Sequence, residues 1–398
     1  MRGAAEATRP SYDRRLVGWL SLAQLISWGS VFYTFALLLE PVERELGLTR
    51  AQSSLAFSLA LLAEGAMAFF VGRCIDRGHE RAVMTGGSLV VALMLALHSQ
   101  VRSVQAFYAV WIILGGALAA TLYSPVFAVV TRRFPDDFRR AIITLTFLGG
   151  LASTVFIPLS AWLIAGLGWR DALLVLAAIH LLVCAPLHAV QLRGAPQQVA
   201  PPTAHAASPA ALLRSPPFLL IGVFVVGFMG VTAALPAHMI SLLRESGLAE
   251  VWVIAIPASI GAIQVVGRLL LFFFEHHFDL HLANRMIPWL IPLGLLALLL
   301  GAGYPAAAVL FVVLYGLGNG MMTIVKGTAI AQYVNREHVA SLNGALGLPS
   351  AIARAIAPLL MGVLWTQQAG YRWGLAVLLV TGIFAALALW GAQRKSLL

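Results

Sequence analysis

Twelve apolar runs, each about long enough to cross a bilayer, fall six and six on either side of a polar, proline-rich stretch. In lipid every backbone N–H and C=O must be paired within the protein, so only helices and closed barrels can span. A barrel would show runs of about 10 residues with alternating polarity, whereas a spanning helix needs about 20 that are continuously apolar. The runs here are of the second kind. With 60% hydrophobic and 11% charged residues, a chain of 398 residues has too little polar material to surround a soluble core of that size. The expected fold class is an all-α membrane protein with twelve transmembrane helices in two six-helix bundles.

Hydropathy and helix breakers place the helices near 17–41, 51–73, 83–101, 105–130, 141–166 and 171–190, then near 217–241, 250–274, 286–302, 306–331, 339–365 and 371–391. The bundles are expected at 1–190 and 217–398, joined by a linker at 191–216. That linker holds Pro196, Pro201, Pro202, Pro209 and Pro216 among Ala, Gln and Ser, and can neither span nor pack a core. The first apolar run begins at about residue 16, is too long for a signal-peptide core, and is expected to be retained.

Cationic loops stay on the cytoplasmic side. With the N-terminus inside, the cytoplasmic segments hold seventeen of the 26 Lys and Arg residues and the external loops six, so both termini are expected in the cytoplasm. The remaining three, Arg268, Lys326 and Arg354, sit inside apolar runs. The formal charge of +10 is spread over short loops with no aromatic-interleaved basic patch, which points to orientation and anionic lipid rather than nucleic acid. Cys74 and Cys184 are too few and too far apart for a disulfide framework or a thiolate metal site.

The two sets echo one another. Gly168-Trp169-Arg170 precedes the sixth helix as Gly370-Tyr371-Arg372 precedes the twelfth, and Pro158 and Pro358 lie at matching depths in the fifth and eleventh. Two parallel repeats around a midplane site are a transporter plan, because rocking one half against the other opens the site to each side in turn.

The loop after the second helix, Gly72-Arg73-Cys74-Ile75-Asp76-Arg77-Gly78-His79-Glu80-Arg81, resembles the signature loop of the major facilitator superfamily. The spacing of Gly72, Asp76, Arg77 and Arg81 agrees with it, and the second glycine, Gly78, arrives one residue early. Several segments resemble bacterial members near the monocarboxylate and oxalate/formate porters. They are Trp28-Gly29 with Tyr33, Gly149-Gly150 with Ser153-Thr154 and Pro158, and His238 with Leu242-Leu243. Gln264-Val265-Val266-Gly267-Arg268 resembles the stretch in which those carriers place an Arg that meets the substrate carboxylate, with Gln264 where the animal carriers have an Asp. The resemblance implies alternating access, and it implies that Asp76, with Arg77 and Arg81, holds a cytoplasmic gate from a helix N-terminus; the alternative for Asp76 is an ordinary solvated charge. Only two of the 26 basic residues are lysine, which suggests a GC-rich bacterium and its inner membrane.

A charge at the centre of a spanning helix costs about 2.5 to 3.5 kcal/mol on insertion scales, so each one needs a reason. Arg354 lies near the midplane, where it is either a carboxylate contact or a buried partner for Glu64 at similar depth in the second helix. Glu64 reads as half of a gate pair, as the proton-coupling residue, or as a water-facing acid. Arg268 reads equally as a substrate contact or as an Arg that snorkels to the boundary, and Lys326 as a cavity charge or a snorkelling one. Three cations against one acid leave a positive field that favours an anionic substrate. Tyr33, Tyr123, Asn319 and Gln264 are candidates for holding the organic part of a small acid, each with an alternative as a packing residue. Gly149, Gly150, Ser153 and Thr154 are small enough for close helix approach.

No Gly-x-x-x-x-Gly-Lys-Ser/Thr phosphate loop occurs, so the expected energy source is a gradient of protons or of an exchanged substrate. Glu275, His276, His277, Asp279 and His281 lack the HExxH spacing and read as a solvated loop. No cofactor, no resident metal and no catalytic constellation are expected. The sequence thus points to a monomeric secondary transporter whose partners are a small organic anion, protons and the bilayer. An exporter of drugs or metabolites with the same fold, or a membrane sensor that does not translocate, are the alternatives.

Overall fold

The computed structural model describes residues 12–135, 137–194, 210–274, 280–335 and 339–396. Twelve helices long and apolar enough to cross a bilayer stand among them. They are α1 (Arg14–Leu46), α2 (Arg50–Asp76), α3 (Glu80–His98), α4 (Val104–Arg133), α5 (Arg140–Leu167) and α6 (Trp169–Gln191), then α7 (Pro216–Glu245), α8 (Glu250–Leu271), α9 (His281–Leu300), α10 (Pro305–Tyr333), α11 (Leu342–Val363) and α12 (Arg372–Ser396). α1 runs five residues beyond the expected end at 41, through Pro41, and stops where Gly47 takes a left-handed conformation with φ of 64°. α2 then starts at a capping box in which Thr49 and Gln52 satisfy each other's backbone N–H groups. The expected linker lies largely outside the described residues.

The helix pairings repeat. α1 packs on α5, α2 on α4 and α3 on α6, and the same scheme returns as α7 on α11, α8 on α10 and α9 on α12. Small residues carry these contacts. A Cβ on Gly115 of α4 would come within 2.1 Å of the Ala60 backbone of α2, and one on Gly320 of α10 within 2.1 Å of the Gln264 backbone of α8. The echo noted in the sequence has a backbone counterpart, since Gly168 and Gly370 both adopt positive φ where the last helix of each set begins. One hydrophobic cluster draws mostly on α7–α12 and another on α1–α6. Between the sets, α2 lies along α11, α5 along α8, and the second half of α1 along α7.

Two spans carry π-helical segments. Trp28–Tyr33 in α1 and His180–Cys184 in α6 are π-helical, and they meet through Ser30 Oγ and His180 Nε2 at 2.7 Å. Such wide turns re-aim side chains within an otherwise continuous helix.

Candidate functional site

The end of the molecule away from the chain termini is sealed by a polar cluster that joins the two sets. Arg50, at the start of α2, is 8% exposed. Its Nε donates to both carboxylate oxygens of Glu43 at 2.9 and 3.0 Å, and its Nη1 donates to Glu245 of α7 at 3.1 Å and to the Tyr371 hydroxyl. The guanidinium also lies over the Trp365 ring at 5.0 Å. Burial pushes the Tyr371 phenol up, against the lowering effect of Arg50, so it keeps its proton. That proton is directed to His238 Nδ1 at 3.1 Å, because His238 Nε2–H is committed to the Pro358 carbonyl at 2.9 Å. Arg244 of α7 adds an ion pair to Glu40 of α1.

From this cluster a ladder of contacts runs along α2 and α11 toward the middle of the membrane. A Cβ on Gly362 would meet Ser54 Oγ at 2.3 Å, and Ser58 Oγ accepts from the Leu359 N–H at 3.1 Å. One turn and a half further, Arg354 Nη2 and Nη1 reach the two oxygens of Glu64 at 3.0 and 3.4 Å. A Cβ on Gly65 would still touch Ala351 at 3.0 Å. Beyond that depth a Cβ on Gly72 of α2, or on Gly344 or Gly347 of α11, would meet nothing within 4 Å, and Gly347, Leu348 and Pro349 of α11 are exposed. On this side the sets are thus joined by polar contacts at the far end and carry open glycines toward the end that holds the termini.

On the other side of the interface α5 and α8 pack through small residues. Thr154 Oγ1 donates to the Ala258 carbonyl at 2.7 Å and accepts from the Ala262 N–H at 3.0 Å. A Cβ on Gly261 would lie 2.6 Å from the Gly150 carbonyl. This approach carries Arg268 against α5, where Nη1 donates to the Thr146 carbonyl. Side chains on a helix lean toward its N-terminus, which for α8 is the far end, so Arg268 tilts toward the membrane centre and not out to the nearer boundary. Its Nε is buried with no hydrogen-bond partner. Among the described residues no carboxylate pairs with it.

Aromatic groups surround this cation. Tyr33 lies within hydrogen-bonding range of Gln264 and within electrostatic range of Arg268, and Tyr123 is within range of both Arg268 and Tyr33. Gln264 and Arg268 are one turn apart on one face of α8. Trp28 packs on Tyr123 with ring centroids 5.1 Å apart.

The candidates from the sequence thus divide into groups. Arg268, Gln264, Tyr33 and Tyr123 come together. Arg354 and Glu64 meet each other across the interface. Lys326 of α10 places Nζ 3.2 Å from Met229 Sδ, has no acid partner among the described residues, and lies within electrostatic range of Arg354. Asn319 is half-buried, and its side chain makes no hydrogen bond among the described residues. Asp76, expected at a helix N-terminus, is instead the last residue of α2, because that helix runs on to the Arg77 cap and turns only at Gly78, φ of 87°. Asp76, Arg77 and Arg81 are all exposed. The acid that this loop buries is Glu80, in ion pairs with Arg132 and Arg133 of α4. Residues 275–279 of the acidic-histidine run lie outside the described residues.

The Arg50, Glu43, Glu245 and Tyr371 cluster was not found from the sequence, in which Arg50 reads as one more external loop cation. The available signal was the capping Thr49 beside it, which makes Arg50 the first residue of a helix.

Comparison with known proteins gives this arrangement a family. Residues 20–278 match the pattern of the Major Facilitator Superfamily. The chain is 30% identical over 288 residues to monocarboxylate transporter 13 of Bos taurus, covering 68% of this chain and 66% of that protein, so it spans just under two thirds of that relative's length. It is 25% identical over 369 residues to the 2-nitroimidazole transporter of Escherichia coli (strain K12), covering 89% of this chain and 88% of that one. A crystal structure of a variant of the nucleoside transporter NupG superposes with a TM-score of 0.76 at 17% identity, over 95% of this chain and 99% of that one, a likeness of fold.

Proposed function

The chain belongs to the major facilitator superfamily, and on that premise we propose that it is a secondary transporter of a small organic anion, whose carboxylate is met by Arg268. The observation that carries this reading is a guanidinium with one buried, unpartnered N–H, no acid paired with it among the described residues, and phenols and an amide around it. Guanidinium presents planar donors that match a carboxylate, and an uncompensated charge at this depth is stabilised by an anion that enters and leaves. Lys326 extends the positive field, with no acid partner among the described residues. That a bovine relative is a monocarboxylate transporter agrees with this charge balance.

Arg354 takes a different role in this reading. Paired with Glu64 at 3.0 Å, it is a latch between the sets. Glu64 is also our candidate for coupling transport to protons, since a proton on it would release Arg354 and loosen the latch. With the termini in the cytoplasm of a bacterial inner membrane, the sealed far end supports reading this arrangement as inward-open. Asp76, Arg77 and Arg81 belong to the gate that closes when the molecule turns outward. The division at 191–216 gives the two bodies that rock, and the working unit is a monomer.

The test is uptake by proteoliposomes of a panel of labelled small carboxylates and matched neutral and cationic compounds, with and without an imposed pH gradient. Uptake confined to the carboxylates and lost in Arg268→Gln supports the proposal. Uptake of neutral or cationic compounds with Arg268→Gln unaffected refutes it, and would favour a drug or metabolite exporter. Binding without translocation would favour a sensor.

A further inference from the structure

The surroundings of Arg268 are aromatic, and this bears on the substrate. Trp28 and Tyr33 are five residues apart, which on regular α geometry sets them about 140° apart around the helix. The Trp28–Tyr33 segment is a π turn, closed by the Thr34 N–H to the Gly29 carbonyl at 3.2 Å, and an i→i+5 turn brings residues five apart onto one face. Trp28 then packs on Tyr123 of α4, and Tyr123 stacks on Phe127 with centroids 5.2 Å apart and planes within 17°. Trp28, Tyr33, Tyr123 and Phe127 are all only half-buried, so this aromatic wall is not closed off by the bundle core.

The Gly149-Gly150 pair ties the wall to the cation. A Cβ on Gly149 would lie 2.5 Å from Tyr123 Oη, and one on Gly150 would lie 3.0 Å from Arg268 Nη1. Consecutive Cα atoms are about 3.8 Å apart, so the phenol and the guanidinium rest on adjacent residues of α5. Neither contact would survive a larger side chain without displacing the group it supports. The Tyr123 hydroxyl end and the Arg268 guanidinium thus lie side by side along α5, with the Tyr123 ring and the Trp28 ring packed on it next to the cation.

We propose that the transported anion is a small aromatic or heteroaromatic carboxylate, its ring against Trp28, Tyr33 and Tyr123 and its carboxylate on Arg268, rather than a short aliphatic acid. This rests on the anion reading above. Offset or edge contacts between aromatic rings favour a planar π system over a saturated ring of equal size, by up to about tenfold in affinity.

Titration of the full chain in lipid nanodiscs with benzoate, cyclohexanecarboxylate, pyruvate and benzylamine tests it, because benzoate and cyclohexanecarboxylate share charge and size and differ in their π system. Benzoate should bind about tenfold more tightly than cyclohexanecarboxylate and more tightly still than pyruvate. That ratio should collapse toward one in Trp28→Leu and Tyr123→Leu and persist in Trp28→Phe, while Arg268→Gln should weaken benzoate and cyclohexanecarboxylate alike. Equal binding of the two ring acids, a ratio that survives both leucine variants, or binding of pyruvate alone would overturn the ring proposal and leave the anion reading standing. Binding of benzylamine and of none of the acids would overturn both, and no binding of any of the four would overturn the ring proposal.

Discussion

Glu64→Gln should open the far end of the transporter. The Arg354–Glu64 pair makes one good charged contact at 3.0 Å and one long contact at 3.4 Å, with the side chains 20% and 13% exposed. Hydrogen bonds to charged groups are worth about 1.5 to 3 kcal/mol when buried, and solvent reduces that for a pair with this exposure, so the latch is worth about 2 kcal/mol. At 1.4 kcal/mol per decade, its loss shifts the balance between far-closed and far-open states by about 30-fold. Ser54 is a suitable reporter, being fully buried between Gly362 and His238 while the far end is closed. In a Ser54→Cys background with Cys74 replaced by Ser, labelling by a membrane-impermeant maleimide from the far side should accelerate about 30-fold on Glu64→Gln. Arg354→Gln should do nearly the same, and the double variant should add little, since both singles remove one interaction. Rates within twofold of the parent in both singles, or a double variant equal to the sum of the singles, would refute the latch.

Three further outcomes follow from the same coordinates. Arg50→Gln strands the 12%-exposed Glu43 and removes the contacts to Glu245, Tyr371 and Trp365, so thermal unfolding in detergent should show a loss of about 3 kcal/mol together with faster far-side labelling. Gly150→Ala meets the flexible tip of Arg268 rather than backbone, so the protein should fold and show a normal melting temperature while anion uptake falls at least tenfold. Gln264→Asp would place a carboxylate one turn from Arg268, where the animal carriers have an Asp, and should make anion binding measured by titration calorimetry pH-dependent, weaker than wild type while the acid is ionised and recovering as pH falls and the acid is protonated.

Most of the fold was legible in the sequence because lipid imposes a single rule on every span, that backbone polarity be satisfied within a helix. The ends were less so, as α1 shows by running through Pro41 to Leu46 until Gly47 turned the chain. The internal charges were also legible, since each is costly enough to stand out. What the sequence left open was how they pair. Arg354 and Arg268 look alike in hydropathy, and only the packing of α2 on α11 and of α5 on α8 assigns one to Glu64 and leaves the other without an acid among the described residues. The far-end cluster was missed for the same reason: Arg50, Glu245 and Tyr371 sit at three helix ends whose closeness is a property of the closed state. The π turn at Trp28–Tyr33 was invisible because its residues are ordinary helix formers, and the widening is set by tertiary contacts.

Counterflow of labelled organic acids into proteoliposomes, comparing wild type with Arg268→Gln and Arg354→Gln, addresses the assignment of the carboxylate contact most directly. Exchange of an acid by the wild type, its loss in Arg268→Gln and its partial retention in Arg354→Gln are the expected results. Full exchange in Arg268→Gln would contradict the assignment.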